Sequence, residues 1–436
     1  MNVFDRIIGY SAEKKELEQI SDILKNREIY ESMGVQMPNG LLLYGEPGVG
    51  KTVMADSLSK ACGLKTFVCR KNEPDGKFVE SIKKVFEEAA EHAPAIVLLD
   101  DMDKFANEDS AHCNADEYVT IQSCIDEYKG RGLFVLATAN DIDDLPDSLL
   151  RAGRFDRVME IKPPRGKDAE KIIGYYLSKK KVAQDLDVEL ISRILDGRSC
   201  AELETIVNDA GIYAGFERAN EVSMTHLMTA CLSRIYEVSA AELLANHEPV
   251  DVNGTYSDAL SSIYHEAGHV VVAEVLYPGA TTIVSTFHKK GEKAGFTITS
   301  NFRSVDANTW KNYSMFIGLG GRAAVEQRFG IVDEGSAKDI NEIFDLLSSQ
   351  TEEQCIHGFD LYSSNYFMTS DDMKTRLAQT KATVIKRCYQ KTREILLANN
   401  KLLERVAEEL AVHGVLDMND IKKLTDECGI VSVSIG

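Results

Sequence analysis

The sequence lacks several features that would place it in other classes of protein. No apolar run approaches the roughly twenty residues that cross a bilayer, and the first residues lack the apolar core of a signal peptide. The nine cysteines are scattered singly without a CxxC pair, which gives no support to a zinc ribbon and is typical of reduced thiols. We therefore expect a cytoplasmic protein without a transmembrane segment.

Positive charge is also scarce. The 49 Lys and Arg residues stand against 69 Asp and Glu residues, so the formal net charge is -20. This balance argues against a large phosphate-neutralising surface, and hence against nucleic acid as the main partner. Only nine residues are proline and 44% are hydrophobic, which is typical of a globular protein. A chain of 436 residues is long enough for two or three domains.

Hydrophobic patterning divides the chain into regions. Over residues 1–165, helical patterns alternate with the apolar runs LLLYG, IVLLDD and LFVLATAN, as in a parallel sheet covered by helices. Residues 166–245 have helical spacing throughout and predict a helical lid, and residues 246–254 predict a linker. The region 255–436 is predicted to be mainly α-helical, with strand-like pieces at TTIVSTF and GFTITS and long helices over 371–425.

A glycine-rich loop lies between the first apolar strand and a helix, the context in which GxxxxGK[ST] indicates phosphate binding. Backbone N–H groups of such a loop surround phosphate oxygens, and the helix N-terminus adds positive potential. Lys51 is predicted to reach the β and γ phosphates of ATP, and Thr52 to ligate magnesium. The loop consists of Gly45, Glu46, Pro47, Gly48, Val49, Gly50, Lys51 and Thr52.

Further polar residues are candidates for ATP hydrolysis. Asp100 and Asp101 end an apolar strand, where paired carboxylates can hold magnesium and polarise an attacking water. Asn140 ends another strand and could orient that water, although a lone Asn there is also a common turn residue. Arg151 and Arg154 either reach a γ phosphate from a neighbouring subunit or form ordinary surface ion pairs.

A second motif, HEAGH, lies in a segment of helical spacing that stops at a Pro-Gly pair. The i, i+4 spacing places His265 and His269 on one helix face, where both can bind one zinc ion while Glu266 takes a proton from water. Glycine inside a helix costs roughly 1 kcal/mol, so the glycine of the motif predicts the close approach of another element. Spacing does not choose the third ligand. The candidates downstream are His288, Glu326, Asp333, Glu334 and Asp339.

Asp339 has a second interpretation. Ser336 to Asp339 has the pattern of a capping box that opens the helix INEIFDLL. On these residues alone, metal ligand and helix cap remain equal alternatives for Asp339.

With these motifs in hand, the chain resembles the FtsH family of AAA+ zinc metalloproteases from Phe4 to about Leu424. The phosphate loop, LLRAGRFDR, GRSCAEL, HEAGH, GGRAA and GSAKDI occur in family order. The resemblance implies an α/β P-loop AAA+ domain with a helical lid, followed by a mainly α-helical zinc metalloprotease domain. It implies Asp339 as the third zinc ligand and Arg151 and Arg154 as arginine fingers.

The resemblance also implies a homo-hexamer that uses ATP and Mg²⁺ to pull unfolded polypeptide towards Zn²⁺ protease sites. Gly295 to Thr297 resembles the edge strand that pairs with protein substrates in that family. The membrane-spanning N-terminal region of the family has no counterpart in this sequence.

Two departures from the family pattern concern ATP hydrolysis and the movement of substrate by the ATPase domain. Asp101 occupies a position where the family has glutamate, and its shorter side chain predicts slow ATP hydrolysis. The stretch from Arg70 to Phe78, which corresponds to the pore loop, is short and charged. Either Phe78 serves as the aromatic grip on substrate, or the stretch is an ordinary solvated loop before a helix.

The expected function is that of an ATP-dependent zinc endopeptidase acting on loosely folded proteins. Two alternatives follow from the departures. The altered pore segment suggests a remodelling ATPase whose peptidase activity is secondary. Asp101 suggests a zinc peptidase that works without ATP and carries a slow nucleotide switch.

Overall fold

The computed structural model describes residues 3–71, 78–105, 115–151, 153–245, 247–288, 295–300, 305–332, 335–362 and 370–435. The chain divides into two compact units, Met1–Met228 and Thr229–Gly436. Within the described residues, no helix is long and apolar enough to cross a bilayer. The cysteines of these ranges are free thiols, and most are buried.

The first unit is an α/β domain followed by helices. Its strands are β1 (Gly40–Tyr44), β2 (Lys65–Cys69), β3 (Ala95–Leu99), β4 (Leu133–Ala139) and β5 (Arg157–Glu160). Its helices are α1 (Ser11–Lys25), α2 (Arg27–Ser32), α3 (Lys51–Cys62), α4 (Phe78–Ala90), α5 (Ala115–Glu127), α6 (Gly166–Leu177), α7 (Val188–Ile194) and α8 (Cys200–Phe216). Helix α9 (Met224–Ile235) contains the boundary between the units.

The five strands form one parallel sheet in the order β2-β3-β4-β1-β5. Helix α4 packs on β2 and β3, and α3 packs on β1 and β4. Strand β3 is fully buried, which explains its unbroken apolar sequence. The strands expected at LLLYG, IVLLDD and LFVLATAN are thereby confirmed. Because the carboxyl ends of parallel strands share one edge of the sheet, the residues that follow β1, β3 and β4 come together there.

The helical region after the sheet is also confirmed. Helix α6 begins at Gly166, two residues after the Pro163-Pro164 pair, which cannot continue a helix from the preceding strand. Helix α8 begins with a capping box in which Ser199 and Glu202 satisfy each other's backbone N–H groups.

The second unit is mainly helical with one small sheet. Its helices are α10 (Ala240–Leu244), α11 (Asp258–Leu276), α12 (Ala307–Gly318), α13 (Gly320–Phe329), α14 (Ala337–Ser348), α15 (Asp371–Ala398), α16 (Asn400–His413) and α17 (Met418–Cys428). Its strands are β6 (Thr281–Ser285), β7 (Phe296–Thr299) and β8 (Val415–Asp417), in the antiparallel order β7-β6-β8.

Helix α11 is the centre of this unit, because α12, α13, α15 and α16 pack around it together with β6 and β7. Nearly all of its side chains after the first turn are buried. The two predicted strand pieces are β6 and β7. The long helices expected over 371–425 are α15, α16 and α17. The short strand β8, which lies between α16 and α17 and pairs with β6, was not predicted.

Candidate nucleotide and metal sites

The phosphate loop joins β1 to α3, and its lysine is turned back onto the loop. Lys51 Nζ donates to the carbonyl oxygens of Gly45 (2.5 Å) and Glu46 (3.0 Å), and to Oδ1 of Asn140 (3.0 Å). Burial lowers the pKa of Lys51, against nearby aspartates that raise it. The structure therefore brings the predicted loop lysine and the predicted strand-end amide into contact.

Asp100 follows β3 and is buried. Its Oδ1 accepts a hydrogen bond from the Thr138 hydroxyl (2.8 Å), and its Oδ2 forms an ion pair with the Arg70 guanidinium. Asp100 raises the pKa of Arg70 further above its usual value. Both carboxylate oxygens of the predicted magnesium ligand are thus occupied by groups of the same chain.

Asp101 adopts a left-handed backbone conformation, with φ 56° and ψ 52°. Asp tolerates this region better than most residues because its short side chain bonds locally. Its backbone N–H donates to the Thr138 hydroxyl (2.9 Å), and its Oδ2 lies 2.7 Å from Lys104 Nζ. The turn thus gives a local reason for aspartate at this position.

The amide of Asn140 is held from both sides. Its Nδ2 donates to Asp103 Oδ2 (2.8 Å) while its Oδ1 accepts from Lys51. The backbone N–H of Asn140 also donates to Asp103 Oδ1 (3.2 Å). The side chain therefore has a fixed direction beside the phosphate loop, which an unconstrained turn residue would lack.

The two predicted arginine fingers differ. Arg154 donates to both carboxylate oxygens of Asp126, at 3.1 and 2.7 Å, and to the carbonyl oxygen of Ser148. Arg151 is exposed, and its side chain makes no hydrogen bond or ion pair within the part of the chain that the structure describes. Arg151 is therefore free to reach another molecule, whereas Arg154 is engaged in its own chain.

In the second unit, three candidate ligands converge. His265 Nε2 lies 3.1 Å from Asp339 Oδ2 and 3.0 Å from His269 Nε2, and His269 Nε2 lies 3.6 Å from the same carboxylate oxygen. A tetrahedral zinc with ligands at about 2.0–2.1 Å places its ligand atoms about 3.3 Å apart. The two imidazoles and the carboxylate therefore fit three corners of a zinc site.

Backbone groups fix the two histidines. His269 Nδ1 lies 2.7 Å from the carbonyl oxygen of Ile317 at the end of α12, so Nδ1 carries the proton and Nε2 presents its lone pair. A Cβ at Gly321 would stand 2.5 Å from the His265 ring, so this glycine makes room for the imidazole. Burial alone would raise the pKa of Asp339, but hydrogen bonds and charges from His265 and His269 outweigh burial and hold it well below its usual range.

The glycine within HEAGH has a packing role, as predicted. A Cβ at Gly268 would stand 2.3 Å from the carbonyl oxygen of Gly320, and one at Gly320 would stand 2.6 Å from the carbonyl oxygen of Gly268. Helices α11 and α13 therefore touch through their backbones. This contact carries Gly321 towards His265, so the glycines of the two helices shape the site together.

Glu266 is buried beside the histidines, and burial raises its pKa. The hydroxyl of Thr297 on β7 donates to Glu266 Oε2 (2.7 Å). The backbone N–H of Gly295, just before β7, donates to the Ser262 hydroxyl on α11 (3.2 Å). The edge strand β7 thus lies along α11 and holds the carboxylate of the predicted general base.

Comparison with known proteins adds two domain matches. Residues 41–163 match the ATPase family associated with various cellular activities (AAA), and residues 258–424 match peptidase family M41. An ATP-dependent zinc metalloprotease FtsH of Aster yellows witches'-broom phytoplasma is 29% identical over 97% of this chain. Proteins of the same name from Pelobacter propionicus and Thermus thermophilus are 28% and 27% identical, also over 97% of it.

The chain belongs to the FtsH family of AAA+ zinc metalloproteases. It spans 63% of the length of the Aster yellows witches'-broom phytoplasma relative and 70% of the length of the other two. Both matched ranges contain their site residues, since the AAA match includes the phosphate loop and the M41 match includes HEAGH and Asp339.

The structure distinguishes the alternatives for the third ligand of this FtsH-family chain. Ser336 makes no side-chain cap bond at the start of α14, so the capping box is absent and Asp339 points at the histidines instead. Glu326 Oε2 accepts a hydrogen bond from the Tyr389 hydroxyl. His288 is exposed, and Asp333 and Glu334 lie outside the described residues. Among the described candidates, Asp339 is the one that joins the pair.

The hypothesis that Phe78 grips substrate was wrong for the structure observed. Phe78 begins α4 with 3% of its surface exposed, and its ring packs edge-on against Phe105 with centroids 5.1 Å apart. Its apolar ring is used in the core of the α/β domain. Residues 72–77 of the same stretch lie outside the described residues.

Sequence reasoning missed several residues that complete these FtsH-family sites. Arg70, Thr138 and Asp103 contact predicted nucleotide-site residues, and Thr297 contacts Glu266. Thr297 lay in the segment compared with the edge strand, Arg70 began the stretch compared with the pore loop, and Thr138 lay in the predicted strand LFVLATAN. Asp103 comes two residues after the predicted strand IVLLDD. These positions were the available signal, because none of the four side chains was a candidate site residue.

Proposed function

We propose that the chain is an ATP-dependent zinc endopeptidase that cleaves loosely folded polypeptides. The observation that carries the proposal is the convergence of His265, His269 and Asp339 beside the buried carboxylate of Glu266. A phosphate loop with a strand-end aspartate and amide in the same chain supports coupling to ATP.

In the first unit, Lys51 would exchange its loop carbonyls for the β and γ phosphates, and Thr52 would ligate Mg²⁺ together with Asp100. Asp101 and Asn140 would position the attacking water. Arg151 is the better candidate for an arginine finger because its guanidinium is exposed and unengaged within the described residues. Arg154 would have to leave Asp126 to act in the same way.

In the second unit, His265, His269 and Asp339 would hold Zn²⁺, which supplies Lewis acidity that polarises the scissile carbonyl and lowers the pKa of water. Glu266 takes the proton of the attacking water and delivers it to the leaving amine. Its buried position keeps that carboxylate away from bulk water, and Thr297 fixes its direction. The free edge of β7 offers backbone groups for pairing with an extended substrate.

The proposal includes assembly and domain layout. Six copies would form a ring in which Arg151 serves the nucleotide site of the next copy, and the free thiols support a cytoplasmic location. The proposed domains are 1–165 for the ATPase core, 166–245 for the helical lid, 246–254 for a linker and 255–436 for the protease. The AAA match at 41–163 and the M41 match at 258–424 support this division.

The test follows peptide products and phosphate release from zinc-loaded protein with an unfolded substrate such as casein. We expect cleavage with ATP, and little with a non-hydrolysable analogue or without nucleotide. Glu266→Gln should abolish cleavage while zinc content and ATPase activity persist, because it removes the proton acceptor and no ligand. Cleavage by this variant would contradict the assignment.

A matched pair tests the ligand set. Asp339→Asn should lose bound zinc, because a neutral amide replaces a charged ligand, whereas Glu326→Gln should keep it, since the Tyr389 hydroxyl can donate to the new amide oxygen. Cleavage indifferent to nucleotide would favour the ATP-independent peptidase. Phosphate release without peptides would favour the remodelling ATPase.

A further inference from the structure

The ion pair between Arg70 and Asp100 stands where the proposed function expects magnesium. Arg70 directly follows β2, and Asp100 directly follows β3. The two strands pair in parallel with Cys69 opposite Leu99, so the next residue of each strand lies side by side at the sheet edge. The backbone N–H of Asp100 donates to the carbonyl oxygen of Cys69 (3.0 Å), which continues this register. The pair therefore follows from the strand register.

Asp100 requires a counter-charge because its side chain is only 2% exposed. A buried carboxylate without a partner is costly, and a cation at hydrogen-bonding distance offsets that cost. The nearby lysines bond elsewhere, since Lys51 donates to loop carbonyls and Asn140, and Lys104 pairs with Asp101. Arg70 thus supplies the direct positive contact at Asp100 Oδ2.

The ion pair between Arg70 and Asp100 can also be broken readily. The side chain of Arg70 is 51% exposed, so a guanidinium that leaves Asp100 is hydrated at once without crossing the protein interior. Thr138 keeps its hydrogen bond to Asp100 Oδ1 when Arg70 departs, so the carboxylate remains oriented. A guanidinium and Mg²⁺ cannot share one carboxylate oxygen without like-charge repulsion.

We infer that Arg70 is an intramolecular competitor of magnesium: it neutralises Asp100 in the nucleotide-free state and must release it before Mg²⁺-nucleotide binds. The inference deepens the proposed ATPase function and rests on it. Arg70 is a positioning residue here, since it acts through Asp100. Because of this competition, the protein needs a higher magnesium concentration for nucleotide binding than it would need if Asp100 had no cationic partner.

The first experiment titrates MgCl₂ against the full chain with a fluorescent ATP analogue and measures bound nucleotide. Arg70→Ala should lower the magnesium concentration at half-maximal binding about tenfold, the equivalent of one charge-assisted hydrogen bond. Lys65→Ala, which removes the same charge from the other end of β2, should leave that concentration within about twofold because an exposed distant charge is screened. An unchanged or higher requirement in Arg70→Ala would overturn the inference.

The second experiment needs no nucleotide and measures thermal unfolding with and without MgCl₂. Arg70→Ala should melt below the wild type without magnesium, because Asp100 is left unpaired, and magnesium should raise its melting temperature more than that of the wild type. If Arg70→Ala does not fold, Arg70→Lys can replace it, because lysine keeps the charge but has fewer hydrogen-bond donors. Magnesium should then raise the melting temperature of Arg70→Lys more than that of the wild type, but by less than expected for Arg70→Ala. Equal magnesium effects on variant and wild type would overturn the inference, even if the wild type bound no ATP and the proposed function failed.

Discussion

The nucleotide site and the metal site of this chain are built in opposite ways. In the first unit, Lys51, Asp100 and Asp101 are each satisfied by a partner from the same chain. In the second unit, the three candidate ligands point at one another, with ligand atoms 3.0 to 3.6 Å apart. The nucleotide site must exchange its partners in order to bind, whereas the metal site already has its binding geometry.

The difference follows from the elements that carry each site. Strand ends and a loop carry the nucleotide residues, so side chains such as Arg70 and Lys104 remain exposed and have room to change partners. A buried helix with backbone-to-backbone contacts carries the histidines, and their rings are held by close packing at Gly321 and by the Ile317 carbonyl oxygen. A motor that cycles through states needs the first arrangement, and a hydrolytic centre needs the second.

The largest expected effect is at Arg151. The nucleotide site is proposed to be incomplete within one chain, and Arg151 of another copy would complete it. Arg151→Ala should lower ATPase turnover about 10³-fold, as for other arginine fingers. Lys51→Ala should be inactive as well, through loss of phosphate contact. Mixed in one preparation, the two variants should recover part of the activity, because an intact phosphate loop can then face an intact Arg151. Steady-state phosphate release of each variant and of the mixture measures this.

Arg154→Ala provides the contrast. Because Arg154 is held by Asp126 and Ser148 in its own chain, we expect its removal to lower the melting temperature of the variant. Where it is folded, Arg154→Ala should keep ATPase activity of its own, so mixing it with Lys51→Ala should add no activity. If the mixture of Arg151→Ala with Lys51→Ala recovered no activity, the proposal of a finger acting across subunits would fail.

A substitution at Gly268 tests whether the contact between α11 and α13 maintains the geometry of the metal site. A methyl group there would stand 2.3 Å from the Gly320 carbonyl oxygen, and neither helix backbone can yield cheaply. Overpacking of this kind costs about 3 kcal/mol of unfolding free energy, so Gly268→Ala should destabilise the second unit and lose zinc. Bound zinc by atomic absorption and the melting transition measure both effects.

Gly174 is the matched control, because it lies within helix α6 and a Cβ there meets nothing within 4 Å. Gly174→Ala should be neutral or stabilise the first unit by up to about 1 kcal/mol. Full zinc occupancy and unchanged melting in Gly268→Ala would mean that the helix contact is not what holds the site.

Sequence patterns predicted most of the fold because the elements are strongly patterned. Strands β1, β3 and β4 are buried on both faces, so they appear as apolar runs. Strand β8 has only three residues and exists because β6 offers an edge, which no local pattern expresses. Phe78 was misjudged for a related reason, since its burial depends on Phe105, which lies elsewhere in the sequence.

The site residues also fall into those that local sequence patterns located and those that depend on contacts between distant elements. The phosphate loop and HEAGH are contiguous in sequence, so spacing alone located Lys51, His265 and His269. Asp339 follows His265 by more than seventy residues, and its choice depends on how α14 approaches α11. Arg70 could not be paired with Asp100 before the register of β2 and β3 was known. Contacts between elements, rather than residue types, were the missing information.

The smallest expected effect concerns the general base, where the rigid site depends on one hydroxyl. Thr297→Val removes the hydrogen bond to Glu266 Oε2 while keeping the shape of β7, so kcat for peptide cleavage should fall about tenfold. KM and zinc content should hold, because the substrate edge and the ligands are untouched. Thr297→Ser should restore kcat, and Thr299→Val, the same change on the same face of β7, should leave it unaltered. Equal losses at both positions would mean that the hydroxyl supports the strand and not the base.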